Sequence, residues 1–120
     1  MITFFSVPTV DKRKQIPSEV IRELAERIAA KFHPQKIILF GSYAYGQPRP
    51  ESDIDILVLM DSSLRENQQA LQIRQYLNPL FGMDIIVYSP GKLEKRLAWG
   101  DSFLREIIDR GVVLYESPHA

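Results

Sequence analysis

The chain has 120 residues and a mass of 13.8 kDa, with 45% hydrophobic residues, 25% charged residues and fifteen Lys+Arg set against fifteen Asp+Glu. That is enough chain to bury one core and too little for two, and a formal net charge of zero supplies no global field to gather nucleic acid or an anionic membrane. The lack of cysteine excludes disulfide scaffolds, thiolate zinc sites, iron–sulfur clusters and cysteine nucleophiles together, and suits a reducing cytoplasm.

Residues 1–15 show no clear period and are expected to form an N-terminal arm ahead of one domain over 16–117. Their apolar part precedes the basic cluster Lys12-Arg13-Lys14, the reverse of a signal peptide. No run approaches the roughly 18 apolar residues of a membrane span. Pro17 suits a helix start. From there Val20, Ile21, Leu24, Ala25, Ile28, Ala29 and Phe32 recur at three- and four-residue spacing, predicting an amphipathic helix that ends near His33-Pro34. Ile37-Ile38-Leu39-Phe40 reads as a short buried strand, and a loop carrying Gly41, Gly46, Pro48 and Pro50 follows. Asp53 to Met60 alternates and then turns fully apolar, the pattern of a central strand whose first residues carry polar groups on one side. A helix over 64–77, broken by Asn78, Pro79 and Gly82, leads to a third strand over 83–88 rich in β-branched residues. Helices over 92–99 and 102–110, divided by Gly100, and a closing strand over 112–115 complete the chain. No repeat interrupts the order, so the expected class is a mixed α/β (α+β) domain: a small mixed sheet flanked by helices.

The chemistry concentrates between Gly41 and Asp55. A strand period of two puts Asp53 and Asp55 on one face while Ile54 and Ile56 point into the core. Two carboxylates side by side on an apolar strand repel each other and lose solvation, a need that a hard divalent cation such as Mg²⁺ answers. Seven Asp in 120 residues make one Asp-x-Asp by chance about 0.4 times, so that pair alone is weak evidence. A Gly-Ser at a strand end, ten residues, then Asp-x-Asp opening the next strand is expected only about twice in a thousand such chains. Gly41 lets a phosphate approach the backbone, Ser42 offers a hydroxyl and an N–H, and a helix start would add partial positive charge. The Gly41–Gly46 spacing is not a P-loop, because Gln47-Pro48 stands where Lys and Ser or Thr are required.

This Gly-Ser-x10-Asp-x-Asp arrangement resembles the signature of the nucleotidyltransferase superfamily with the DNA-polymerase-β-like fold, and in particular its minimal nucleotidyltransferases. The resemblance extends from about residue 18 to 116, through the leading helix, an acid on the third strand and the closing Gly-Val-Val-Leu-Tyr strand. It implies that Asp53, Asp55 and Asp84 are catalytic and bind two Mg²⁺ ions, and that Gly41 and Ser42 hold the triphosphate of ATP. Asp84 rests on strand placement alone. One ion would grip the triphosphate. A second, bridged by Asp84, would bring an acceptor hydroxyl in line with the α-phosphorus, with Asp84 also able to take its proton. The pattern departs from Gly-Ser-x-Ala-Arg-Gly at Tyr45, and Arg49 is the loop cation that could replace the lost charge. Tyr43 and Tyr45 either stack on a base or pack locally, with packing favoured. His33, His119 and Trp99 read as structural or solvent-facing.

The acceptor site of larger relatives lies in a further domain, so here it is expected from a partner or a second copy of the chain. The resemblance implies a helical HEPN-type toxin whose tyrosine receives AMP, the chain acting as antitoxin. The alternative is a module that keeps the fold and neutralises its partner by contact, with weak or absent catalysis. Neither membrane association nor strong nucleic-acid binding is expected, since the basic residues are scattered among acids.

Overall fold

The computed structural model describes residues 15–118, so residues 1–14 of the arm expected over 1–15, and His119, lie outside the described residues. The element order is α1 (Ser18–Phe32), β1 (Lys36–Phe40), α2 (Ser42–Tyr45), β2 (Ile54–Leu59), α3 (Glu66–Leu77), β3 (Met83–Tyr88), α4 (Pro90–Ala98), α5 (Ser102–Arg110) and β4 (Val112–Glu116). The apolar stripe of α1 becomes a buried face of Ile21, Leu24, Ala25 and Ile28, as its spacing dictates. His33 ends the helix in the left-handed conformation at φ 53°, its N–H donating to the Ala29 carbonyl, and Pro34 prevents continuation. The remaining helices stop or start for equally local reasons. Asn78 adopts φ 46° to close α3, the Ser89 hydroxyl accepts from the Lys92 N–H to open α4, and the Asp101 carboxylate accepts from the Leu104 N–H to open α5.

The strands form one four-stranded sheet in the order β3-β2-β1-β4. β1 pairs antiparallel with β2 and with β4, whereas β2 and β3 run parallel through the crossover helix α3. Helices cover both faces. Ile37, Leu39, Ile54, Ile56, Val58, Met83 and Val87 pack toward α1 and α3, while Ile38, Phe40, Leu57 and Leu59 pack toward Leu93 of α4 and Leu104 and Ile107 of α5. Double coverage explains why β1 and β2 read as nearly unbroken apolar runs rather than as alternating ones. Within β2 only Asp55 is not fully buried. Each fully enclosed aliphatic side chain contributes about 1.5–3 kcal/mol of hydrophobic stabilisation, and Leu24, Ile28, Ile37, Ile54, Ile56, Ile73, Leu104 and Ile107 are all at 0% exposure. The sandwich built on them holds the strand ends rigidly.

The expected class and order agree with this architecture. The differences are local: the segment after Gly41 contains the single helical turn α2, α3 begins at Glu66 rather than at residue 64, α4 spans Pro90–Ala98 rather than 92–99, and β1, β2 and β4 shift by one residue at their ends. Tight bonds from Ala44 N–H and Tyr45 N–H to the Gly41 carbonyl, both 3.0 Å, make that turn helical. No helix among the described residues is long and apolar enough to cross a membrane.

Candidate active site

The antiparallel turn from β1 to β2 and the parallel step from β2 to β3 bring one strand end and two strand starts to the same edge of the sheet. In register, Phe40 stands opposite Asp55, and Asp55 opposite Asp84. Residues paired this way project from the same face, so the carboxylates of Asp55 and Asp84 are cross-strand neighbours on the α4/α5 side. Asp53 immediately precedes β2, and its carboxylate rests against the backbone of Gly82, where any Cβ would overlap Oδ1. The Ile54 N–H donates to the Gly82 carbonyl at 3.0 Å, which locks the two strand entrances together.

Gly41 caps this arrangement. It sits at φ 74°, ψ −155°, a region essentially restricted to glycine. A Cβ there would also overlap the Asp55 carboxylate, so backbone conformation and close approach independently demand glycine. Ser42 is half-buried at the start of α2. Gly41 of the Gly-Ser turn therefore lies directly against the Asp55 carboxylate.

Electrostatics register the same proximity. Partial burial, then the charge of Asp84, then that of Asp53, pushes the Asp55 carboxyl up from 3.8 to about 6. Three acids thus share one field and repel one another. Among the described residues no group of three or more Asp, Glu or His side chains forms a ready-made metal cage. The donor set still fits Mg²⁺, which prefers carboxylate oxygen and is commonly held by one or two carboxylates together with substrate phosphates.

The structure separates the other candidates. Arg49 lies in an exposed turn in which its N–H donates to the Ser52 hydroxyl at 2.9 Å, and its guanidinium forms no ion pair among the described residues. Tyr43 packs toward α1 and its hydroxyl accepts from the Ile16 N–H at 3.0 Å, a structural role. Tyr45 turns the other way. Its hydroxyl donates to Glu106 of α5 at 3.4 Å, and the Arg110 guanidinium covers its ring at 4.5 Å. Position 45 therefore faces α5. His33 is a helix cap, and Trp99 is 76% exposed at the α4–α5 junction.

Sequence reasoning overlooked Gly82 and Phe40. Gly82 could have been found from its place two residues before Asp84, where a strand entrance must pass beneath a neighbouring carboxylate. Phe40 carries no such signal, because only the register of β1 against β2 sets it beside Asp55.

A mixed sheet of order β3-β2-β1-β4 between helical layers, with a Gly-Ser turn ending one strand and acids opening the next two, defines a nucleotidyltransferase fold. The chain belongs to the nucleotidyltransferase domain family, which matches residues 21–114. It is similar to a Methanocaldococcus jannaschii protein provisionally named a protein adenylyltransferase, 36% identical over 101 residues that span 81% of this chain and 96% of the relative. The protein adenylyltransferase MntA of Thermococcus cleftensis is 28% identical over 100 residues, 83% of this chain and 94% of its own length. Among solved structures, a toxin–antitoxin complex with AMP-PNP shares the fold at a TM-score of 0.52 and 22% identity, over 82% of this chain and 75% of that one.

Proposed function

We propose that the chain transfers AMP from ATP, with Mg²⁺, to a hydroxyl on a protein partner, and that the acceptor is a tyrosine of a cognate helical HEPN-type toxin which the chain thereby neutralises in the cytoplasm. One observation carries the reading: Asp55 and Asp84 stand in register on adjacent strands, with Asp53 within charge range and Gly41 pressed against the Asp55 carboxylate. The adenylyltransferase names of the relatives, and the AMP-PNP and toxin–antitoxin context of a structure with this fold, support the substrate and the partner.

In this reading the Gly41-Ser42 backbone N–H groups and the Ser42 hydroxyl receive the phosphates. Arg49 reaches in from its loop as a supplementary cation. Asp53, Asp55 and Asp84 would hold Mg²⁺ together with the substrate phosphates, and the ion would supply neutralisation of phosphate charge and of the repulsion among the acids. Asp84, on the edge strand and exposed, faces the side from which an acceptor can approach. The acceptor oxygen attacks the α-phosphorus, the bond from that phosphorus to the β-phosphate oxygen breaks, and pyrophosphate leaves. The hydroxyl proton passes to the Asp84 carboxylate. Positioning and charge neutralisation supply most of the rate enhancement, because the transferred group needs little covalent help.

Calorimetric titration of ATP with Mg²⁺ into the purified chain tests this, against the chain carrying Asp53→Asn and Asp55→Asn. Heat that requires both the metal and the two acids is expected, followed by transfer of label from α-labelled ATP to the partner. No binding by the chain, alone or with its partner, would overturn the enzymatic reading and leave neutralisation by contact.

A further inference from the structure

The helix α5 lies along the turn that follows β1, and its residues three and four apart share one face. Phe103, Glu106 and Arg110 form that stripe. Glu106 accepts from the Tyr45 hydroxyl at 3.4 Å, Arg110 covers the Tyr45 ring at 4.5 Å, and Phe103 meets Phe40 edge-to-face with ring centroids 5.7 Å apart. Phe40 in turn is the cross-strand partner of Asp55 and is only 6% exposed. Phe103 therefore touches the residue that stands opposite Asp55 in the sheet.

Phe103 itself is 50% exposed. Leu104 and Ile107 already anchor α5 in the core, so folding does not require a large aromatic at this half-open position. Among the described residues two other rings are exposed: Tyr76 is on the opposite face of the sheet and is engaged by Phe32, Arg27 and Lys31, and Trp99, at the α4–α5 junction, has no ring contact that ties it to β1. Phe103 is the exposed ring that its contacts tie to the strand end bearing Gly41. Its contact with Phe40 fixes the ring in place, and pre-ordered aromatic surface stacks on a base without a further entropy cost.

Building on the nucleotide-site reading above, we infer that Phe103 is the platform on which the base of the bound nucleoside triphosphate stacks. The phosphates would occupy the Gly41-Ser42 turn while the nucleoside lies over the α4/α5 face toward α5. Stacking of this kind tolerates different bases because each has a π-face, and it strengthens with ring area, so purines are favoured over pyrimidines. The subsite would contribute to nucleoside binding and nothing to the grip on phosphate.

The test separates these two parts of the ligand. Mg·ATP and Mg·tripolyphosphate are titrated into the full chain as wild type, Phe103→Leu and Phe103→Trp. Phe103→Leu should weaken ATP about tenfold while tripolyphosphate stays within about twofold of wild type, and Phe103→Trp should bind ATP at least as tightly as wild type. Should Phe103→Leu fail to fold, Phe103→Met carries the same comparison. Equal loss of both ligands would reveal a merely structural side chain and overturn the inference, as would unchanged ATP affinity. If the wild type binds neither ligand, the nucleotide-site reading itself falls and the platform with it.

Discussion

Asp55→Asn should make the protein more stable at neutral pH while removing a residue on which the proposed chemistry depends. Burial and the charges of Asp84 and Asp53 raise the folded-state pKa of Asp55 from 3.8 to about 6. The folded protein therefore holds a proton on Asp55 between about pH 4 and 6 that the unfolded chain has released, so stability falls as pH rises through that window. Above it the full penalty of a charged Asp55 is present. A shift of about two units corresponds to at most roughly 3 kcal/mol, and because the side chain is only partly buried, solvent screening reduces this to about 1 kcal/mol. Asparagine keeps the shape and removes the charge. For a domain of this size the gain corresponds to a rise in Tm of about 4 °C at pH 7.5, shrinking to nothing near pH 4. Thermal unfolding followed by circular dichroism in chelator, wild type and variant side by side from pH 4 to 8, reads the difference directly. A variant less stable than wild type at pH 7.5, or a difference that does not change with pH, would refute the electrostatic account of the site.

Other substitutions test the supporting geometry. Gly41→Ala forces a side chain into a glycine-only backbone region and against the Asp55 carboxylate; it should cost about 1–3 kcal/mol in denaturant unfolding and abolish ATP binding in calorimetry. Gly82→Ala displaces the Asp53 carboxylate without demanding an unusual backbone angle. Its stability should fall by about 1 kcal/mol or less, while label transfer to the partner slows by about 100-fold, since a displacement of about 1 Å at a reacting centre has that effect. Tyr43→Phe removes the acceptor for the Ile16 N–H. The loss should appear as about 1 kcal/mol in unfolding, with the ATP dissociation constant unchanged.

The helices and strands were legible because each carries its own period. The spacing of Val20 through Phe32 can only bury one face of a helix, and the apolar runs 37–40 and 56–60 are too short for helices and too continuous for strands wetted on one side. Residues 83–88 and 102–110 occupy the predicted bounds. The Gly-Ser turn and the Asp-x-Asp pair were legible for a related reason: close backbone approach and paired charge on an apolar strand are local demands, visible in neighbouring residues. The helical turn 42–45 was missed because four residues show no period.

What needed the tertiary structure was everything that depends on which strands are neighbours. Nothing in the order of residues says that Met83–Tyr88 pairs parallel with β2 rather than with β1 or β4, and only that pairing sets Asp84 beside Asp55. The same holds for Gly82 beneath Asp53, for Phe40 opposite Asp55, and for Tyr45, which the sequence marked as a lost cation and the fold turns toward Glu106 and Arg110. Local patterning specifies what each segment is, because propensity and burial act over a few residues. Register and layer packing decide what each side chain meets, because those contacts join residues tens of positions apart and exist only once the whole sheet has formed.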